Sequence, residues 1–88
     1  MGYTVKQFQS TPNPNAVKCI LDRKASDRPR SYFRKEEAAE DELASGLFGV
    51  AGVTNVLING EWIAVNKRAE ADWKAVKAGV ERVLREAR

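Results

Sequence analysis

Residues 53–66 read VTNVLINGEWIAVN, in which Asn59-Gly60 separates two runs rich in β-branched residues. Asn-Gly is the pair that a type I′ turn prefers, so the stretch predicts a β-hairpin with Asn59-Gly60 at its tip. A tight loop at this point pairs Leu57 with Trp62 and Val56 with Ile63. Alternation along the two strands then gives the hairpin one apolar face, which we expect to lie in the core. The residues of that face are Val56, Ile58, Ile63 and Val65.

Apolar periodicity on both sides of the hairpin predicts the remaining elements. In chain order they are strands at residues 3–9 and 16–21, a helix within residues 36–48, the hairpin, and a helix at residues 69–88. The order is ββαββα. It predicts an α+β fold in which two helices cover one face of a four-stranded, largely antiparallel sheet. Residues 22–31 are polar and contain a proline, so we expect them to be the least ordered stretch.

Length and composition predict one domain, at residues 1–88. The chain has 88 residues, of which 43% are hydrophobic and 31% are charged, which is ordinary globular composition. A single cysteine excludes an internal disulfide, whereas secreted domains of this size usually need several. The sequence therefore predicts a reducing compartment, the cytoplasm, and its short apolar runs predict no association with a membrane.

Residue types argue against catalysis and against metal binding by this chain alone. The chain contains no histidine and one cysteine, whereas structural zinc sites and iron–sulfur clusters need four cysteine or histidine ligands. Cys19 alternates with Val17 and Leu21, so we expect its side chain in the core. Trp62 and Trp73 each fit an apolar pattern, and we expect them in the core or at its edge. No catalytic residue, metal site or bound cofactor is predicted.

The net charge of +3 is unevenly placed, with basic residues frequent in residues 23–35 and acidic residues in residues 36–42. Such a distribution is typical of a solvated surface, so no nucleic-acid partner is predicted. One alternative stays open. The basic stretch would bind nucleic acid weakly if Tyr32 and Phe33 stacked on bases.

A second motif, TPNPNAVK at residues 11–18, gives the chain a family resemblance. Together with WIAVNK at residues 62–67 and the pair Asp72-Trp73, it resembles the N-terminal domain of Nfu/NifU-like iron–sulfur cluster scaffold proteins. The resemblance covers nearly the whole chain and implies a compact α+β domain. In that family a Cys-x-x-Cys pair in a separate C-terminal domain holds the cluster, and these 88 residues contain no such pair. Stand-alone copies resembling the N-terminal domain also occur.

The resemblance implies a non-catalytic accessory domain that assists iron–sulfur cluster assembly or delivery. Its partners would be iron–sulfur scaffold, carrier or client proteins, and the oligomeric state stays open. The candidate partner-binding residues are Thr11, Asn13, Pro14, Asn15, Lys18 and Lys67. The two prolines pre-order the loop, so binding would cost less conformational entropy.

Two alternatives remain. The TPNPN motif would be purely structural if its residues only satisfied a demanding turn. The domain would also be a general protein-interaction or regulatory module, unrelated to iron–sulfur clusters, if the same fold served another partner.

Overall fold

A computed structural model describes residues 2–87, so Met1 and Arg88, which the predicted domain and last helix include, lie outside the described residues. Five strands form one antiparallel sheet in the order β1-β2-β5-β4-β3. The elements are β1 (Val5–Ser10), β2 (Ala16–Leu21), β3 (Ser26–Tyr32), a short 3₁₀ helix (Lys35–Ala38), α1 (Glu42–Phe48), β4 (Val53–Gly60), β5 (Trp62–Lys67) and α2 (Trp73–Glu86). None of the described helices is long and apolar enough to cross a membrane.

The predicted α+β class is confirmed, but the predicted count of four strands is wrong. The fifth strand is β3, in the stretch predicted to be least ordered. A proline and several charges are compatible with a strand here because β3 lies at the edge of the sheet. Pro29 falls in an irregular step between Ser26 and Arg30, where regular pairing with β4 is interrupted. Edge position therefore explains why the local composition was misleading.

One carboxylate, Asp41, anchors β3 to α1. Its Oδ2 lies 2.6 Å from Arg30 Nη1 and accepts a hydrogen bond from the Tyr32 hydroxyl at 2.6 Å. Its Oδ1 accepts from the backbone N–H of Ala44 at 3.1 Å, so Asp41 is also the N-cap of α1. The hydrogen bond that the Tyr32 hydroxyl donates to Asp41 raises the pKa of that hydroxyl. Phe33, one residue further on, is 66% exposed.

The first helical region is divided into two pieces rather than forming one helix within residues 36–48. The 3₁₀ helix ends at Ala38, and α1 begins after the N-cap Asp41. Capping by Asp41 starts a new helix, which separates α1 from the 3₁₀ helix. Ala38 of the 3₁₀ helix is buried, whereas Ala39 after it is exposed.

The hairpin of β4 and β5 is confirmed, but its register differs from the predicted one by two residues. Leu57 pairs with Ala64, and Asn59 pairs with Trp62. Gly60 has a φ of 59° and Glu61 has no positive φ, so the backbone follows the φ signs of a type II′ turn rather than a type I′ turn. A shift of two residues leaves every side chain on its face, and the predicted core face is therefore confirmed.

The core lies between the inner face of the sheet and both helices. Cys19 is 0% exposed in it, as predicted, and the buried positions of α2 are Val76, Val80 and Leu84. Gly52 has a φ of 95°, and a Cβ added to it would lie 2.8 Å from the Cβ of Ala71. Backbone conformation and close packing therefore both require glycine at this position. The core residues are Val17, Cys19, Leu21, Ala38, Ala44, Leu47, Val56, Ile58, Ile63, Val65, Val76, Val80 and Leu84.

Of the two tryptophans predicted to lie in the core or at its edge, Trp73 does so and Trp62 does not. Register places Trp62 on the outer face of the sheet, beside Ile20 of β2, so the prediction is wrong for this residue. Trp73 opens α2 and is half-buried at the edge of the core. The predicted helix at residues 69–88 also starts too early, because Asp72 is the N-cap.

Candidate partner-binding surface

The loop at residues 11–15, which we call the Pro-Asn loop, is held together by its own polar groups. The hydroxyl of Thr11 lies 2.9 Å from Asn13 O and accepts a hydrogen bond from Asn13 N–H at 3.2 Å. Asn13 Oδ1 accepts from Asn15 N–H at 2.9 Å, and Asn13 O accepts from Ala16 N–H at 3.0 Å. Side-chain oxygens that bond nearby backbone groups in this way fix the turn connecting β1 and β2. Pro12, Asn13 and Pro14 are exposed on the outside of that turn.

Lys67 is buried under the Pro-Asn loop, with 8% of its surface exposed. Its Nζ donates to Asn15 Oδ1 at 3.1 Å and to the backbone oxygens of Arg68 and Ala69, each at 3.2 Å. Its backbone N–H also donates to Asn15 O at 2.8 Å. A buried ammonium group with three acceptors is well satisfied. Lys67 therefore joins the loop to the connection between β5 and α2, and a partner can reach little of it.

Trp73 supports the loop from the side of α2. Its Nε1–H donates to Pro14 O at 2.9 Å, which explains why this side chain stays at the edge of the core. Two ammonium groups lie over the indole ring, with Lys67 Nζ at 5.2 Å and Lys77 Nζ at 5.8 Å from the centroid. Lys77 Nζ is also 5.3 Å from the ring centroid of Phe8. These distances are typical of cation–π contacts.

Lys18 does not belong to this cluster. It lies on the outer face of the sheet, where its Nζ is 4.5 Å from the ring centroid of Trp62. Because β2 alternates its side chains, Val17 points into the core and Lys18 points away from it. The structure thus brings together Thr11, Asn13, Pro14, Asn15 and Lys67, and separates Lys18 from them.

Three residues that were not among the predicted site residues complete the surface. Phe8, Trp73 and Lys77 line, with the Pro-Asn loop, an open cavity of about 240 Å³. Trp73 and Lys77 are four residues apart, a spacing that puts both on one side of α2 and could have indicated a shared surface. Phe8 gave no comparable signal, because only the pairing of β1 with β2 fixes the direction of its side chain.

The chemistry of Cys19 differs from that of a cluster ligand. Burial raises the pKa of its thiol from the ordinary 9.0 to about 12, so little thiolate is present at neutral pH. Among residues 2–87 no three cysteine, aspartate or glutamate side chains converge to hold a metal ion. One protonated thiol does not fit an iron–sulfur cluster, which needs four ligands.

Comparison with known proteins identifies the family. The family described as "Scaffold protein Nfu/NifU N terminal" matches residues 6–88. "Conserved virulence factor C" of Staphylococcus aureus is 26% identical over 72 residues, covering 82% of this chain and 19% of that protein. The protein of the same name from Staphylococcus haemolyticus is 25% identical over the same share of this chain. The chain thus spans about a fifth of the length of the curated relatives it matches.

Two solved structures have the same fold. The crystal structure of protein SAV1430 from Staphylococcus aureus has a TM-score of 0.75 at 23% identity, covering 91% of this chain and 96% of that chain. The solution structure of a NifU-like protein from Saccharomyces cerevisiae has a TM-score of 0.76 at 20% identity, covering 94% and 77%. At these identities the two structures establish the fold alone. The match over residues 6–88 establishes more: the chain belongs to the Nfu/NifU N-terminal scaffold family.

Proposed function

We propose that this chain is a non-catalytic accessory domain that assists iron–sulfur cluster assembly or delivery by binding protein partners. The family match over residues 6–88 is the observation that carries the proposal. In this role the cluster is cargo held by other proteins, since the thiol of Cys19 is buried and protonated. The partners would be scaffold, carrier or client proteins in the cytoplasm, without nucleic acid, a membrane or a bound cofactor.

The proposed contact surface is the exposed side of the Pro-Asn loop. Two features support it: the turn is internally bonded, and its outer residues remain exposed. A loop that is already ordered forfeits little entropy when it binds. Asn15 and Lys67 would act as positioning residues, because their hydrogen bonds hold the loop from beneath. Lys18 would contribute only if a partner also covered the outer face of the sheet.

Affinity capture from the host cell tests the proposal with two loop variants. Asn13→Asp keeps a side-chain oxygen for Asn15 N–H while adding a charge, and Pro14→Ala keeps the carbonyl that Trp73 bonds. We expect the parent chain to enrich iron–sulfur scaffold, carrier or client proteins, and both variants to lose them while melting within a few degrees of the parent. Lys18→Gln is the matched control and should retain them.

A second candidate function is a general protein-interaction module unrelated to iron–sulfur clusters. The observation that favours it is the occurrence of a similar domain as about a fifth of proteins named conserved virulence factor C. Capture of partners that include no iron–sulfur protein would support this candidate and overturn the first. If Asn13→Asp and Pro14→Ala both retained the partners, the Pro-Asn loop would not be the contact surface.

A further inference from the structure

A groove runs between the edge strand β1 and helix α2. At one end Tyr3 N–H donates to Leu84 O at 2.7 Å, and at the other end Lys77 lies over the ring of Phe8. Helix α2 therefore contacts the chain just before β1, at Tyr3, and again within β1, at Phe8. Two cavities mark the groove, one of about 60 Å³ beside Tyr3 and one of about 240 Å³ beside Phe8. We call this feature the β1–α2 groove.

One wall of the β1–α2 groove is a strand edge. β1 is the first strand in the sheet order, so among residues 2–87 only β2 pairs with it. Pairing is irregular between Val5 and Gln7 and regular from Gln7 to Ser10. These last four residues contain no proline and no charge, and they form a short strand whose outer backbone groups can pair with another chain.

The opposite wall selects the chemistry of an occupant. Lys77 Nζ lies over two aromatic rings, and within the described residues it forms no ion pair. Among residues 2–87, no carboxylate lines the larger cavity and Lys77 is its one charged residue. An ammonium group between aromatic rings, without an acidic neighbour in the cavity, is complementary to a carboxylate.

We propose that the β1–α2 groove binds an extended acidic segment of a partner protein, which adds as a strand to β1 and places a carboxylate side chain against Lys77. Backbone hydrogen bonds along residues 7–10 would supply sequence-independent affinity. Lys77 would supply selectivity, with Phe8 and Trp73 packing against the aliphatic part of the acidic side chain. This inference rests on one part of the proposed function, namely that the partner is a protein. It does not depend on an iron–sulfur cluster.

Titration with a short peptide of alternating valine and glutamate, blocked at both ends, tests strand addition. We expect the amide resonances of Phe8 and Ser10, whose N–H groups face away from β2, and the indole N–H of Trp73 to shift, while β3 amides stay unchanged. A valine–glutamine peptide should bind about tenfold more weakly, since it lacks the charge-assisted hydrogen bond. The glutamate peptide with alternate backbone amides methylated on the pairing side should not bind, because it cannot add to a strand.

Variants of α2 test the role of Lys77. Lys77→Gln should abolish the tenfold preference for glutamate, and Lys77→Arg should restore it. Lys74→Gln is the matched control, because Lys74 is an exposed lysine of the same helix that does not line the cavity. Equal affinities for the two peptides, an effect of Lys74→Gln as large as that of Lys77→Gln, or shifts confined to β3 would each overturn the proposal.

The remaining outcomes separate this inference from the proposed function. Concentration-dependent dimerisation through β1 without peptide would assign the groove to a second copy of the chain and overturn the peptide assignment. Capture of iron–sulfur proteins that survives Lys77→Gln would leave the proposed function standing and refute the groove as its surface. Peptide binding that depends on Lys77, together with capture of no iron–sulfur protein, would support the groove and refute the proposed function.

Discussion

The two edge strands, β1 and β3, leave their outer backbone groups in different situations. β3 contains Pro29 and charged neighbours and pairs irregularly with β4 between Ser26 and Arg30. β1 has one charged residue, Lys6, which lies where the pairing with β2 is irregular. The four residues that follow are uncharged and pair regularly with β2. Proline, charge and irregular pairing are the devices by which natural sheets prevent unwanted strand addition. β3 is therefore the closed edge of this sheet, and β1 is the open one.

The edges also differ in how they are attached to the helices. β3 is tied to the start of α1 by an ion pair and a hydrogen bond to Asp41. At the other edge, Tyr3, which precedes β1, donates a backbone hydrogen bond to Leu84 of α2, and Lys77 of α2 contacts Phe8 of β1. Directional bonds to a carboxylate fix an edge more firmly than a packed aromatic ring does. The closed edge is thus also the anchored one.

The largest expected effect is at Cys19 of β2, which pairs with Phe8 of the open edge β1. Burial raises the pKa of the thiol from 9.0 to about 12. At pH 8 the native thiolate fraction is therefore about a thousandfold lower than that of an ordinary thiol. We expect iodoacetamide to modify native Cys19 about a thousandfold more slowly than the denatured chain. Mass spectrometry of timed samples measures both rates.

A thiol on the closed edge provides the matched control. Ser31 of β3 is exposed, so in the double variant Cys19→Val with Ser31→Cys the new thiol should react like a free one. If Cys19 reacted within tenfold of that thiol, β1 would be open in solution and the assignment of Cys19 to the core would fail. A rate that rises at denaturant concentrations well below global unfolding would show that β1 opens locally.

The same shift predicts how stability depends on pH. Since the folded pKa of Cys19 is above the unfolded value, the unfolded chain loses its proton first as pH rises. The contribution of this group to stability is thus fully present below about pH 9 and is lost between pH 9 and about 12. Urea unfolding at pH 8 and pH 10.5 should show a decline that Cys19→Val reduces. If the free energy of unfolding declined equally in the parent and in Cys19→Val, the raised pKa of Cys19 would be contradicted.

The next effect is at the closed edge, where Asp41→Ala removes the partner of Arg30, the acceptor of Tyr32 and the cap of α1. We expect the free energy of unfolding to fall by about 2–4 kcal/mol, since a half-buried charge loses its partner and a helix loses its cap. Asp27→Ala is the control, because Asp27 pairs with Lys24 on the exposed surface. It should cost less than about 0.5 kcal/mol. Similar losses in the two variants would mean that Asp41 does not anchor β3.

The two edges also show which parts of the fold could be predicted from the sequence. The faces of β2, β4 and β5 followed from alternation, because each of these strands has one face in the core. β3 was missed because edge strands use residues that otherwise indicate loops. The hairpin register was missed because an Asn-Gly pair does not by itself fix which two residues form the turn.

The candidate site was predicted only in part, for a related reason. The TPNPN motif marked the loop correctly as a rigid turn, because proline and asparagine act on their own backbone. Burial of Lys67 and the position of Lys18 on the outer face depend on pairing between strands far apart in sequence. The groove depends on the packing of α2 against β1, which no local pattern encodes.

The smallest expected effect concerns Lys67 of β5, which supports the Pro-Asn loop that follows β1. Lys67→Met keeps an unbranched side chain of similar length but leaves three part-buried acceptors without their donor. We expect a loss of about 1–3 kcal/mol in the free energy of unfolding, measured by urea titration. Lys18→Met, in which a half-buried lysine on the outer face of the sheet is replaced, should cost less than about 0.5 kcal/mol.

In Lys67→Met, the positions of the residues whose structure changes are more informative than the size of the loss in stability. In Lys67→Met the amide resonances that change should be those of the Pro-Asn loop and of residues 68–71, because these segments share the lost donor. Amides of β3 should keep their positions, since β3 is held by Asp41 at the other edge. If β3 shifted as strongly as the loop, the two edges would respond as one unit, and the contrast between an open and an anchored edge would be wrong.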